Sequence, residues 1–237
     1  MQAYPVDSSA VIHINPTLAH QVIHGEVFAQ GIPGCIATTD LDRAADIHIV
    51  SGPHYALNRW RSHERVLMID RAYWGDPDYI SIGWLNNDGS RRFATGKEPR
   101  YQPGLFPWRV RAQSALILAD YGQDTTEAER FARKTFGHTT VRRHPADKDE
   151  PVSLVSQLML HDVAIGGAGS ALVQAAVLGV PCICNNPENP AYPVASRINA
   201  DLYFGDRWQW LHDLSYRQFN HNEIADGTAW EYLRRVE

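Results

Sequence analysis

Cysteine is scarce in this chain of 237 residues, which contains only Cys35, Cys182 and Cys184. One of them has no possible partner, and the last two lie in one apolar run, so a fold held together by disulfides is excluded. Apolar runs of roughly 20 residues, the length that spans a bilayer, are also missing. The first residues lack the basic region and the long apolar core of a secretory signal. We therefore expect a soluble cytoplasmic protein without a membrane partner.

A strong excess of charge is absent as well. The formal net charge is −5, charged residues make up 21% of the chain and hydrophobic residues make up 44%. This balance is typical of a globular protein with a core and excludes extensive disorder. The acidic excess argues against a general binder of polyanions. Basic residues are concentrated between Arg59 and Arg111, however, which leaves a local site for an anionic ligand open.

Short apolar runs alternate with helix-like stretches, as in α/β folds with parallel sheets. In the first half, a helix is predicted from Pro16 to Gly31 and another begins near Pro53. An irregular stretch follows, with a hairpin predicted around Asn87-Asp88-Gly89. The predicted strands of this half are AVIHINP, ADIHIVSG and ERVLMID, and those of the hairpin are YISIGWL and RRFAT.

The second half is more regular and predicts four strands with three intervening helices, a Rossmann-like arrangement. The predicted fold class is therefore α/β with two Rossmann-like lobes, the first small and carrying the irregular insertion with the hairpin. Residues 96–107 are rich in Pro and Gly and predict the linker. The predicted domains are residues 1–107, residues 108–206, and C-terminal helices at 207–237 that pack back across the lobes.

The most informative motif is the run DVAIGGAGSALVQ at residues 162–174. A strand leads into glycines that allow close approach to the backbone, and Ser170 is placed to cap the following helix. The free amides at such a helix start suit a phosphate or a diphosphate. The spacing is neither the dinucleotide-binding G-x-G-x-x-G pattern nor a P-loop, since no Gly-Lys-Ser/Thr sequence occurs.

Over about twenty positions, GGAGSALVQAAVLGVPCI resembles the donor-binding half of GT-B glycosyltransferases. ALILADYGQD resembles the first strand and loop of that half, and VRRHP resembles its "RpHP" strand end. At Gln174 the family usually has a Glu that contacts the donor ribose. The resemblance implies a nucleotide-sugar donor, with a UDP-sugar expected and no metal required. The donor-binding residues that it implies are Gly122, Gln123, Arg143, His144, Gly167, Ala168, Gly169, Ser170 and Gln174.

Two further segments resemble a phage and prophage protein group of glycosyltransferase-like members. These are MIDRAYWGDP at residues 68–77 and the tail from Leu214 to Trp230, with its EIADGTAW ending. A phage setting implies the cytoplasm of an infected bacterium. Phage enzymes of the GT-B type often modify hydroxymethylated pyrimidines, so modified duplex DNA is the implied acceptor.

Candidate catalytic residues lie at strand ends of the first half. Asp70 ends an apolar strand at the expected cleft and could remove a proton from an acceptor hydroxyl, with His54 as the second candidate base. The alternative for Asp70 is a turn cap or an ion pair with Arg71. No compact cluster of metal ligands is evident in the sequence.

The acceptor side is predicted from aromatic and basic residues near Asp70. Candidate acceptor-binding residues are Arg71, Tyr73, Trp74, Arg59 and Arg91. The aromatic rings could stack on a base or a sugar, and their alternative is packing in the core. For the arginines the alternative is a solvated surface.

Two other functions remain open on sequence grounds. One is a phage protein that binds a nucleotide-sugar without catalysis, and the other is an epimerase-like enzyme of the same architecture. Binding without transfer would indicate the first, and a chemically changed free sugar nucleotide would indicate the second.

Overall fold

The computed structural model describes residues 9–51, 65–74, 78–86, 90–120, 122–144 and 151–236. The chain divides into two compact units. The first comprises Met1–Arg100 and His212–Glu237, and the second comprises Tyr101–Leu211. The division falls before the predicted linker end at 107, because Phe106 donates its N–H to the Val177 carbonyl at 3.0 Å and thereby joins the second unit.

Both units are built from strands and helices that alternate along the chain. The strands are β1 (Ala10–His13), β2 (Ile36–Thr38), β3 (Ile47–Ser51), β4 (Val66–Arg71), β5 (Tyr79–Leu85), β6 (Arg91–Arg92), β7 (Ser114–Leu118), β8 (His138–Arg142), β9 (Val163–Gly166), β10 (Cys182–Ile183) and β11 (Gln218–Asn220). The helices are α1 (Ala19–Gly31), α2 (Thr126–Thr135), α3 (Leu154–Leu160), α4 (Ala171–Val177), α5 (Trp208–Ser215), α6 (His221–Ala225) and α7 (Thr228–Leu233), with a short 3₁₀ turn at Tyr192–Val194.

The first unit contains a seven-stranded mixed sheet in the order β11-β5-β4-β3-β1-β2, with β6 paired to β5. Strands β1 to β4 are parallel, and β5, β6 and β11 run antiparallel to their neighbours. The residues of β1 are all buried, as expected for a parallel strand that is covered on both faces. The predicted hairpin is confirmed by the pairing of β5 with β6, while its turn at residues 87–89 lies outside the described residues.

Helix α1 begins at Ala19 rather than at the predicted Pro16. The reason is a preceding turn in which the Asn15 side chain accepts hydrogen bonds from the N–H and the hydroxyl of Thr17, at 3.0 and 2.8 Å. Such local bonds offer the backbone an alternative to helix. The buried residues of α1 include His24, Phe28 and Gly31, which form the face directed at the core.

The C-terminal segment of the first unit is anchored by Arg100. Its guanidinium forms an ion pair with Glu223 at 3.0 Å and donates to the carbonyl of Ser215. It also lies over the rings of Tyr216, Phe219 and Tyr232 at 4.5 to 5.5 Å from their centroids. Because one cation bridges so many groups, the tail is part of the first core.

The second unit contains a four-stranded parallel sheet in the order β10-β9-β7-β8. All four predicted strands and all three predicted helices of this half are present. The core between sheet and helices includes Ile117, Ala132, Phe136, Val163 and Ile165. Parallel sheets in both units confirm the predicted α/β class.

Candidate functional site

The second sheet reverses its strand order between β7 and β9. The chain passes from β7 to β8 on one side and then crosses to β9 on the other. Leu118, the last residue of β7, is in register with both Arg142 and Gly166, so the three strands end at the same level. Parallel α/β sheets bind ligands outside the carboxyl ends of their strands at such a reversal. This edge is the candidate site, and we call it the second-unit crevice.

The predicted donor-binding residues lie along the chain just after these strand ends. Gly122 and Gln123 follow β7, Arg143 and His144 follow β8, and the turn from Gly167 to Ser170 follows β9. The convergence that the sequence predicts is therefore reproduced by the topology of this unit.

Asp120 contacts the glycine-rich turn directly, although the sequence did not single it out. Its Oδ2 accepts a hydrogen bond from the Ala168 N–H at 2.6 Å. A Cβ atom would lie 2.8 Å from Oδ2 if built on Gly167 and 2.6 Å from Oδ1 if built on Gly169, which explains both glycines. The Asp120 carboxylate thus accepts the hydrogen bond of an amide that the sequence predicts to bind a donor phosphate. The expectation of a cradle of free amides is thus corrected at Ala168, where a negative charge opposes an anion.

Asn189 holds the same turn by hydrogen bonds to the backbone carbonyl groups of the turn. Its Nδ2 donates to the carbonyl oxygens of Gly167 and Gly169 at 2.7 and 3.1 Å, and its Oδ1 accepts the Ala191 N–H at 2.8 Å. The residue is only 2% exposed. Asp120 and Asn189 together bind both the amide and the carbonyl side of the turn, so its conformation is fixed before any ligand arrives.

The loop after β7 is shaped by local hydrogen bonds. Gly122 has a φ of 65°, a conformation that favours glycine. Gln123 accepts the Asp120 N–H through Oε1 at 2.9 Å and so fixes the backbone beside the carboxylate. Asp124 accepts from the hydroxyl and the N–H of Thr126, and these bonds hold the pKa of its carboxyl below the usual value. Asp124 therefore serves to start α2.

Two arginines follow one another at the end of β8 and differ in their exposure. Arg142 donates to the Val152 carbonyl at 2.7 Å and to Gln157 Oε1 at 3.1 Å, which ties it to the start of α3. Arg143 is exposed at the carboxyl edge, and His144 is half-buried next to it. Of the two arginines, Arg143 is therefore the more accessible to solvent.

Helix α4 differs from its prediction at its first turn. Ser170 occupies the N-cap position, but its hydroxyl makes no capping hydrogen bond. Its backbone is already in the helical region, with φ −69° and ψ −9°, rather than in the extended conformation usual for a cap. The predicted Ser170 cap is therefore wrong. Gln174 is partly buried on the same helix, and its contact with a donor stays a prediction.

The first unit places Asp70 at the carboxyl end of β4. Its Oδ1 accepts the Arg71 N–H at 2.7 Å, and its Oδ2 lies 3.7 Å from the Arg91 guanidinium. Asp70 is 42% exposed and Arg91 is 17% exposed at their side chains. The predicted base and one predicted acceptor-binding residue thus form an ion pair, and the predicted pairing of Asp70 with Arg71 is replaced by a bond to its backbone.

The two predicted stacking residues are buried. Tyr73 and Trp74 are 2% and 6% exposed, and the Tyr73 N–H donates to Gln218 Oε1 at 2.9 Å. Stacking on an acceptor requires an accessible ring face, so this burial supports the packing alternative. Arg71 is exposed beside them. His54 and Arg59 lie outside the described residues.

Nucleophilic thiols are disfavoured throughout this fold. All three cysteines are buried. Burial raises the pKa of Cys35 to about 12 and also raises the pKa values of Cys182 and Cys184. Thiols of raised pKa stay protonated and unreactive at neutral pH. Within the described ranges, His, Cys, Asp and Glu side chains form no group of three or more that could hold a metal ion.

Comparison with solved structures shows a known fold. The chain is similar to a Thermosulfurimonas dismutans KpsC structure described as a beta Kdo 2,7 transferase, with a TM-score of 0.55 at 10% identity, covering 95% of this chain and 100% of that one. A second KpsC structure from that organism, described as a beta Kdo 2,4 transferase, gives a TM-score of 0.44 at 11% identity, covering 93% and 89%. At this identity the first likeness shows a glycosyltransferase-like fold.

Sequence comparisons give no such match. No family model matches the chain. No curated protein matches it either. Among the helices of the described residues, none is long and apolar enough to cross a membrane.

Proposed function

We propose that this protein is a glycosyltransferase of the GT-B type that binds a nucleotide-sugar at the second-unit crevice. The observation that carries the proposal is the convergence of β7, β8 and β9 at the reversal point of a sheet whose chain has a glycosyltransferase-like fold. In this proposal the second unit supplies the donor lobe and the first unit supplies the acceptor lobe.

The chemistry is assigned to the residues after the strand ends. Arg143 neutralises the phosphate of the departing nucleotide, because a developing negative charge is stabilised most by a cation placed beside it in advance. His144, the next residue, contacts the bound donor. Asp120 and Asn189 fix the glycine-rich turn against which the donor lies, and Gln123 fixes Asp120.

Transfer requires a proton acceptor as well as a leaving group. The bond between the anomeric carbon of the sugar and the phosphate oxygen breaks, the acceptor oxygen bonds to that carbon, and the hydroxyl proton passes to a base. Asp70 is kept as that base, because its carboxylate lies near the carboxyl end of β4 and is 42% exposed, so an acceptor hydroxyl can reach it. His54 stays the second candidate.

The donor is tested with a panel of nucleotide-sugars. The sequence predicts a UDP-sugar, while the similar solved structure is named for transfer of Kdo. We therefore suggest UDP-, GDP- and CMP-linked sugars, with activated Kdo among them, and calorimetry followed by an assay of nucleotide release with and without acceptors. Binding of one donor together with acceptor-dependent release is the expected result, and EDTA should leave it unchanged.

Other outcomes identify the alternatives. Binding without release or transfer indicates a binding protein, and conversion of the free sugar nucleotide indicates an epimerase-like enzyme. Hydroxymethylated duplex DNA stays the acceptor predicted from the sequence, and comparison of modified with ordinary duplex in the same assay tests it. If no member of the panel binds, the proposal fails.

A further inference from the structure

The first unit contains a cavity of about 240 Å³ at its own point of strand reversal. Strand β1 lies between β2 and β3, and the chain passes first to β2 and then back across to β3. The cavity is lined by residues from the ends of β1 and β3, including His13 and Ser51. It therefore occupies the position in the first sheet where ligands of α/β proteins bind.

The wall of this cavity is polar in part but carries no formal charge among its described residues. Its polar side chains are an imidazole, two amides and two hydroxyls, from His13, Asn15, Gln21, Thr39 and Ser51. An equal number of lining residues are apolar. Among the described residues, the wall therefore supplies hydrogen-bond donors and acceptors beside apolar surface, and no side chain of permanent charge.

Two histidines form a fixed polar group at the wall. His13 Nε2 lies 3.0 Å from His48 Nδ1, and their ring planes differ by only 7°. One of these nitrogens must carry the proton that the other accepts. Both residues are 6% exposed. The His13 ring is therefore held in one orientation at the cavity wall by its partner.

Among the described residues beside the cavity mouth, carboxylates outnumber cations by two to one. Leu41 lines the cavity, and its sequence neighbours Asp40 and Asp42 are exposed, with Arg43 as the adjacent cation. An acidic excess repels a polyanion such as duplex DNA. A neutral ligand with hydroxyl groups and apolar C–H faces matches both the wall and the rim.

We infer that this cavity binds the acceptor, and that the acceptor is a neutral, hydroxyl-rich molecule presenting one sugar ring. The volume accommodates a single ring, whereas drug-sized ligands occupy pockets of roughly 300–1,000 Å³. The amide and hydroxyl side chains bond the hydroxyl groups of the ring, and the apolar residues contact its C–H faces. The acceptor role rests on the proposed function, whereas binding of a sugar ring to this cavity does not.

Binding is measured on the full chain without any donor, by saturation-transfer NMR with methyl glycosides of glucose, galactose and mannose at millimolar concentrations. Thr39 lines the cavity and is exposed, so Thr39→Trp fills the mouth without disturbing the core. Thr135→Trp is the matched control, since Thr135 is an equally exposed threonine in the second unit. We expect Thr39→Trp to weaken binding at least ~10-fold and Thr135→Trp to leave it unchanged.

The inference is overturned if no glycoside binds, if Thr39→Trp binds as well as wild type, or if a hydroxymethylated DNA duplex displaces the glycoside. A failure of the proposed function looks different. Glycoside binding that responds to Thr39→Trp, in a protein that binds no nucleotide-sugar, removes the transferase and the acceptor role and leaves the sugar site established.

Discussion

Gly31 in α1 and Ile224 in α6 approach so closely that a Cβ atom on Gly31 would overlap the Ile224 carbonyl oxygen. The obstacle is backbone, which cannot turn away as a side chain can. We therefore expect Gly31→Ala to lower the free energy of unfolding by about 3 kcal/mol, measured by urea denaturation. Gly104→Ala is the control, because a Cβ there meets nothing within 4 Å. Equal stability of the two variants would contradict the close approach.

Stability should fall in acid because of His24. Burial, reinforced by the neighbouring His221 and His20, lowers the pKa of His24 to about 4 from the ordinary 6.5. The unfolded chain therefore binds the proton at this residue more tightly than the folded chain does. The contribution of His24 to the free energy of unfolding is fully present above pH 6.5 and is lost as the pH falls towards 4. The loss amounts to about 2–3 kcal/mol.

His24→Gln tests this pH dependence. The variant should flatten the curve of unfolding free energy between pH 6.5 and pH 4, measured by denaturant titration at several pH values. His138→Gln serves as the control, since His138 is exposed in the second unit. A wild-type slope in His24→Gln would show that groups other than His24 cause the effect.

Loss of the Asp120 charge should strengthen binding of free nucleotides. Asp120→Asn retains a side-chain oxygen for the Ala168 N–H and removes a negative charge from the second-unit crevice. We expect a tighter Kd by roughly 3- to 10-fold in calorimetry with nucleoside diphosphates, from removal of like-charge repulsion. Asp201→Asn changes the net charge equally at an exposed position of the same unit. A similar gain in both variants would mean that only net charge matters.

Arg143→Ala should depress transfer strongly while the fold stays intact. Removal of a cation that stabilises a leaving group costs about 10²–10³-fold in kcat, and the residue is exposed, so stability should change little. Arg111→Ala is the matched control, since Arg111 is exposed before β7, at the amino edge of the same sheet. Wild-type turnover in Arg143→Ala would remove Arg143 from the mechanism.

Arg100 should contribute far more to the free energy of unfolding than an ordinary surface arginine does. Its side chain is 8% exposed, pairs with Glu223 and lies over three rings. Arg100→Lys should lower the free energy of unfolding by about 2–3 kcal/mol, since lysine cannot reproduce the planar fork. Arg133→Lys should cost less than about 0.5 kcal/mol, because Arg133 is 71% exposed in its pair with Glu129. Similar losses, measured by thermal and urea unfolding, would contradict this assignment.

The regular second half could be predicted from its pattern, because the buried parallel strands are continuous apolar runs such as ALIL at residues 115–118. Two strands of the first sheet could not be predicted from the sequence pattern. Strand β2 is short and mostly exposed, and β11 joins β5 from far along the chain. Neither carries the periodic apolar signal on which prediction depends.

The candidate site is also predictable from the sequence only in part. The glycine-rich turn carries a local sequence signature, so the sequence predicts it. Asp120 and Asn189 act on that turn across separations of 48 and 20 to 22 residues, and only the fold brings them to it. The burial of Tyr73 and Trp74 likewise depends on Gln218, which is 145 residues from Tyr73. Residue type alone does not show such contacts.

The first unit is formed from two separate stretches of the sequence, and this affects the order in which its parts are made on the ribosome. Its sheet needs β11 and its Arg100 needs Glu223, both of which are translated after the whole of the second unit. The contiguous second unit, Tyr101–Leu211, is therefore synthesised completely before the first unit has its last strand, β11. Until the last part of the chain is made, the edge of β5 that pairs with β11 stays open, and open strand edges favour aggregation.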